Sequence, residues 1–345
     1  MENFIDHIAI LNFKSIRNLK LEGLTRINLF IGKPNVGKSN ILEAFGVFSL
    51  PYSQFADNKK ITEFIRIQHE PELFFDGNVS EPSVIKTNME HCDIEYKVTP
   101  LITDNYGNSY SQQTDKLLNF NFDSAGQESF QLIIDENLAV HVLNNPETPP
   151  ILKKYVFIPG KNQTGNKISF LLPPNGKNLF KIIEENNLLK TEIKELFREY
   201  NLKLVFDKAS RELKITKPPQ NDEIFLIPYH SIADTLQRII FYKTAIASNQ
   251  NSVLIFEEPE AHAFPPYIVH ITQEIIDANS NQFILSTHSP YVLDYFLENA
   301  RDELSIFMVD YKNGETVANK LSKEDMDDIY SYGIDLFTNY ETFLK

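Results

Sequence analysis

Thr25-Arg-Ile-Asn-Leu-Phe-Ile31 runs directly into Gly32-Lys-Pro-Asn-Val-Gly37-Lys38-Ser39-Asn40, and Ile-Leu-Glu-Ala-Phe45 follows. The first run is apolar and rich in β-formers, which reads as a buried strand; the Gly/Pro/Asn stretch reads as a loop, and a helix is expected from Lys38 onward. The loop has the spacing G-x-x-x-x-G-K-S, which needs both a strand before it and a helix after it to mean anything. A surface turn could match the spacing by accident, but the flanking elements favour a phosphate cradle. In such a loop the backbone N–H groups and the positive helix N-terminus form a concave anion site. Gly32, Asn35 and Gly37 shape it, Lys38 adds a point charge for the β- and γ-phosphates, and the Ser39 hydroxyl is placed to hold Mg²⁺.

Working outward, Ser252 to Phe256 and Gln282 to Leu285 are short apolar runs with a helical stretch, Pro266 to Asn279, between them. Strand, helix, strand at these lengths is a right-handed βαβ crossover in a parallel sheet, and Leu304 to Val309 continues the series. The first of these strands delivers two adjacent carboxylates, Glu257 and Glu258, at its C-terminal end, where open parallel sheets bind ligands. Glu257 is expected to orient Mg²⁺ or its water; Glu258, on the other side of the chain, to polarise the attacking water as a general base. An isolated Glu-Glu pair is ordinarily a solvated strand terminus; the phosphate loop changes that reading. At the end of the next strand, Ser286-Thr287-His288-Ser289-Pro290 puts a histidine within reach of a γ-phosphate, able to sense its loss.

The middle of the chain has another texture. Residues 51–224 break into alternating segments, including Asp93 to Val98, Phe130 to Ile134 and Leu202 to Phe206, separated by polar and proline-rich stretches. They read as a large α+β insertion dividing a domain made of residues 1–50 and 225–345. Within it one helix is expected from Lys177 to Tyr200, because Leu179, Ile182, Ile183, Leu189, Ile193, Leu196, Phe197 and Tyr200 recur at helical spacing. That stripe is read as packing onto the protein's own sheet in preference to a partner-binding face. No repeat and no long heptad run is visible.

Taken together, GKPNVGKSN, LIFEEPEAHAFP and LSTHSP resemble the Walker A, Walker B with D-loop, and His-switch of ABC-type ATPases, nearest the RecF/SMC/OLD branch. The resemblance covers roughly Phe4 to Phe48 and Ile224 to Val309. It implies an α/β P-loop NTPase fold of ABC-ATPase type, a mostly parallel sheet flanked by helices with an antiparallel N-terminal β-subdomain. It implies ATP and Mg²⁺ as cofactors, with Lys14, Ser15 and Asn40 lining the nucleotide, Glu258, His288 and Lys38 in catalysis, and Ser39 and Glu257 at the metal. A signature motif supplied in trans is placed at Ser231-Ile-Ala-Asp-Thr-Leu-Gln-Arg238, with Ser231 capping the following helix; an ordinary helix cap is the alternative. Ala233 stands where the signature usually carries Gly, and Glu257 replaces the more common Asp, so slow turnover is expected. Gln163 is the candidate Q-loop residue and metal contact.

The implied function is an ATP-hydrolysing switch in which two heads close over ATP, forming a homodimer or higher homo-oligomer, in bacterial DNA repair or anti-phage defence with a separate effector. The rival is a barely hydrolysing, nucleotide-gated scaffold that regulates a partner protein. A transporter subunit is disfavoured by the poor signature and the N-terminal Asn-Phe-Lys-Ser pattern, and the stretch after His288 is expected to be too short for a TOPRIM nuclease domain. In a chain of 345 residues the net charge of −14 argues against a broad DNA-binding surface and leaves only a local patch. The single cysteine, Cys92, excludes an internal disulfide or Cys-based zinc site. With no signal-like N-terminus and no long apolar run, the expected location is the cytoplasm, away from membranes. Asp325, Asp327 and Asp328 with Lys323 read as a solvated acidic helix face and not a metal cluster.

Overall fold

The computed structural model describes residues 4–56, 58–98, 116–124, 129–144, 148–160, 168–217 and 224–344. β1 (His7–Phe13) and β2 (Ile16–Glu22) form an antiparallel hairpin. β1 also pairs with β4 (Ser83–Thr87), and the sheet runs on through β5 (Glu90–Val98), β6 (Lys116–Ser124), β7 (Phe130–Ile134) and β8 (Val140–Val142). This gives seven strands in the order β2-β1-β4-β5-β6-β7-β8, antiparallel throughout.

The second layer is a six-stranded sheet. Its centre is β3 (Ile27–Ile31), flanked by β14 (Gln282–Ser286) and β15 (Leu304–Lys312); outside β14 come β13 (Val253–Glu257) and then β9 (Leu152–Tyr155), and outside β15 comes β16 (Glu315–Lys320). All pairings are parallel except β15 with β16. Burial on both faces explains the nearly continuous apolar runs INLFI, VLIF and FIL, which carry no polar/apolar alternation to read. Side chains still alternate between faces. Val253 and Ile255 enter one core, with the antiparallel sheet and α1 (Lys38–Gly46); Leu254 and Phe256 enter the other, under the outer helices.

Those outer helices are α2 (Leu179–Glu185), α3 (Asn187–Arg198), α4 (Asp234–Ser248), α5 (Pro265–Asp277), α6 (Pro290–Asn299) and α7 (Lys323–Tyr332). A small antiparallel sheet of β10 (Lys203–Asp207), β11 (Glu212–Thr216) and β12 (Leu226–Pro228) lies among them in the chain.

One expectation is corrected. The helix expected over Lys177 to Tyr200 is two helices. Asn186, at φ −99° and ψ 100°, ends α2 and caps α3 by accepting from the Leu189 N–H at 3.1 Å. Asparagine prefers such caps to helix interiors because its side chain competes for backbone partners. The apolar stripe is internal packing: Leu179, Ile182, Ile183, Leu189, Ile193 and Phe197 are all buried in the outer core. Residues 51–224 are inserted in sequence but share both layers, since β4 to β8 extend the hairpin sheet and β9 joins the parallel one. β15 does not follow β14 in space, because β3 lies between them. On α7, Asp325 closes a capping box with Ser322, and Asp327 pairs with Arg301 at 3.0 Å. No helix among the described residues is long and apolar enough to cross a membrane.

Candidate active site

The phosphate loop leaves β3 at Ile31 and returns into α1 at Lys38. Asn35 (φ 63°) and Gly37 (φ 100°) take left-handed conformations. Gly37 is the N-cap of α1 and no side chain caps the helix, so its first N–H groups keep their capacity for an anion. Glycine is needed here twice over, since a Cβ on Gly37 would lie 1.9 Å from the Thr316 hydroxyl and one on Gly32 would lie 2.4 Å from the Val309 carbonyl. Thr316 Oγ1 donates to the Val36 carbonyl at 2.9 Å and lies 2.7 Å from Ser15 Oγ, to which the Asn40 amide donates at 2.6 Å. Ser15 and Asn40 thus brace the loop from behind, together with β16.

Lys38 is 6% exposed and donates to the carbonyls of Gly32 (2.8 Å) and Lys33 (2.9 Å). Burial pushes its pKa down to about 8, against the pull of Glu258 and Glu257.

Glu257, at the end of β13, accepts a short hydrogen bond from the Ser39 hydroxyl. A single nitrogen of Arg66, Nη2, reaches both its carboxylate oxygens at 2.6 and 2.9 Å. Burial works to raise its pKa, but the Ser39 hydrogen bond and the charges of Arg66 and Lys154 hold it below the usual carboxylate range. An ionised carboxylate touching a hydroxyl, both at the mouth of the phosphate loop, is a hard-oxygen donor set that fits Mg²⁺.

Glu258 follows with a left-handed backbone (φ 44°), its N–H fixed on the Ser286 carbonyl at 3.0 Å. This turns its carboxylate toward β14, where it lies 3.4 Å from His288 Nε2. Burial and Lys38 lower the His288 pKa and Glu258 opposes them. Glu260 is the support beneath. It is 7% exposed, accepts from the Thr287 hydroxyl at 2.5 Å and the His288 N–H at 3.2 Å, and its second oxygen has no hydrogen-bond partner among the described residues. Burial raises its pKa.

Behind the loop lies a charge cluster that the sequence reading missed. Glu43 on α1 is fully buried; it accepts from Arg66 Nε at 2.9 Å and from the Arg66 N–H at 3.2 Å, pairs closely with Lys14, and has Lys154 at 4.0 Å. Lys14, expected to line the nucleotide, spends its ammonium on Glu43 and on the Arg66 carbonyl (2.9 Å). The signals were an acidic residue inside the apolar ILEAF, a lone arginine in Phe-Ile-Arg-Ile and two lysines in the strand LKKY.

The signature candidate is altered in detail. Tyr229–Ser231 form a 3₁₀ turn, Ser231 is exposed, and α4 is capped at Ala233 with no side-chain bond. Ser231 therefore does not cap the helix, which starts later because Ile232 and Ala233 are extended. The same segment reaches the backbone after β13 through Arg238, whose Nη1 donates to the Glu258 main-chain carbonyl at 3.4 Å and whose guanidinium sits 4.8 Å over the Phe157 ring. Gln163 lies outside the described residues.

A phosphate loop on a central strand, acidic residues closing the parallel strand two positions away and a histidine just past the end of the strand between them define an ABC-type ATPase head of the RecF/SMC group. The chain belongs to the family described as "AAA domain, putative AbiEii toxin, Type IV TA system", which matches residues 27–294. It is 21% identical over 339 residues to the ATP/GTP phosphatase of Helicobacter pylori, covering 87% of this chain and 89% of that protein. A shorter match, 37% over 70 residues, is to the DNA replication and repair protein RecF of Phocaeicola vulgatus, covering 20% of this chain and 18% of that one. The fold is that of the crystallised SMC head bound to the C-winged helix domain of ScpA: TM-score 0.50 at 14% identity, over 93% of this chain and 99% of that one.

Proposed function

We propose that this chain is a Mg²⁺-dependent ATPase that works as a switch, two copies closing over ATP and separating when it is hydrolysed. The convergence of Lys38, Ser39, Glu257, Glu258 and His288 at the C-terminal ends of three neighbouring parallel strands carries the reading. The loop N–H groups and Lys38 bind the triphosphate, and Glu258 orients a water and accepts its proton as the water oxygen bonds to the γ-phosphorus. The bond to the β-phosphate oxygen then breaks, leaving ADP and phosphate. Ser39 and Glu257 would hold Mg²⁺, which would supply charge neutralisation at the phosphates. His288, held by Glu260 through its backbone, registers whether the γ-phosphate is there.

The activity named for the Helicobacter relative supports hydrolysis. The partner-bound SMC head and the RecF match favour a head that hands its state to another protein, in DNA repair; anti-phage defence and a place in the cytoplasm are part of the same proposal. The exposed position of Ser231 suits a residue offered to a second copy, and Arg238 would link that contact to Glu258. Ala233 in place of glycine favours slow turnover, the direction of the scaffold reading.

A mixing experiment tests the dimer. Ser231→Arg and Lys38→Ala are each expected to be inactive alone. Mixed, they form heterodimers in which one composite site carries both defects and the other is intact, so ATPase activity returns in part. Full activity of Ser231→Arg alone, or no recovery on mixing, contradicts action in trans.

A further inference from the structure

We propose that Arg66 is a resident counter-ion of Glu257, competing with a divalent cation for that carboxylate and so setting the cation concentration at which the site loads. The inference rests on reading Ser39 and Glu257 as the metal-holding pair. A carboxylate offers about four lone-pair positions on two oxygens. On Glu257 the Ser39 hydroxyl takes one, and Arg66 Nη2 bridges both oxygens at 2.6 and 2.9 Å. A cation ligated at about 2.0–2.1 Å cannot share those oxygens with a guanidinium in the same place, both for want of room and because the two positive charges repel.

The anchoring of Arg66 suits a group that yields. Its Nε and backbone N–H are tied to the buried Glu43, while 62% of its side chain faces solvent. The tip can therefore leave Glu257 without opening a cavity and without releasing its hold on Glu43. Lys154 is the contrasting cation. It is 3% exposed, fixed on the Phe64 carbonyl at 2.7 Å, and has no comparable freedom. Lys14, bound to the Arg66 carbonyl, keeps the turn in position as the side chain moves.

The test is Mn²⁺ binding to the nucleotide-free full chain, followed by the paramagnetic resonance of free Mn²⁺, for the parent, Arg66→Gln, Arg66→Lys and Arg66→Gln/Glu257→Gln. Arg66→Gln is expected to bind one Mn²⁺ about tenfold more tightly than the parent. Arg66→Lys, which keeps the charge but loses the Nε bond to Glu43, is expected to fall between, and the double variant to lose the gain. Equal affinity of the parent and Arg66→Gln overturns the proposal, as does the absence of saturable binding in Arg66→Gln. A gain that persists without the Glu257 carboxylate also overturns it. A fluorescent ATP analogue in EDTA is titrated alongside. If no protein binds it, the nucleotide reading fails, while the Mn²⁺ comparison still decides the role of Arg66.

Discussion

The phosphate loop and the charge cluster around Glu43 meet at one point, the hydrogen bond from Ser39 to Glu257, yet they are built in opposite ways. The loop is one unbroken run, Gly32 to Asn40, whose chemistry lies mostly in its backbone. The cluster draws Lys14, Glu43, Arg66, Lys154 and Glu257 from five separate segments, and its chemistry is all side chain. The difference separates function from stability. On the proposed reading Lys38 serves phosphates and can be truncated with little effect on the fold, whereas a buried carboxylate among three cations cannot.

The largest effect expected is therefore on folding. Glu43→Ala leaves Lys14 and Lys154 without their buried partner and is expected to cost about 3–5 kcal/mol in denaturant unfolding, against within about 1 kcal/mol for Lys38→Ala; equal costs would erase the contrast. In binding the order reverses. Lys38→Ala is expected to weaken ATP by roughly 100-fold in calorimetry, the scale of one lost charged hydrogen-bond donor. Undiminished binding by a folded variant would place the nucleotide elsewhere.

Smaller effects sharpen the picture. Glu260→Ala frees the Thr287–His288 turn, and turnover is expected to fall by about tenfold to a hundredfold, the usual scale for misplaced groups, while ATP affinity holds within about threefold. A matching loss of affinity would make Glu260 a general support of the site and not a positioning residue for His288. The last is a pH effect. The Lys38 pKa is lowered to about 8 before the phosphates arrive, so the charged form that ATP prefers is complete well below that pH and is lost above it. ATP affinity is expected to drop about tenfold between pH 7 and pH 9, and Lys38→Arg to flatten that slope. A flat profile in the parent protein would mean that Lys38 keeps its proton throughout.

The same contrast explains what the sequence could disclose. Gly32 to Ser39, Glu257-Glu258 and Ser286 to Pro290 were legible because each is contiguous and sits at the end of an apolar run, and the parallel order of their strands follows from the crossover rule. Arg66 and Lys154 were not, because only the packing of a 3₁₀-rich stretch and the edge strand β9 against α1 brings them to Glu43. Thr316 was equally hidden, although it adds to the left-handed backbone a steric reason for glycine at Gly37. The helix expected from Lys177 to Tyr200 failed at one residue, Asn186, which satisfies helical spacing on both sides while ending one helix and starting another.

The most direct test is one titration and one phosphate-release assay on Glu258→Gln. The glutamine keeps the side chain's shape but cannot accept a proton from water, so the variant should bind ATP and Mg²⁺ with the affinity of the parent protein and release no phosphate above background. Phosphate release at the parent rate would remove Glu258 as the base and, with it, the central assignment of this site.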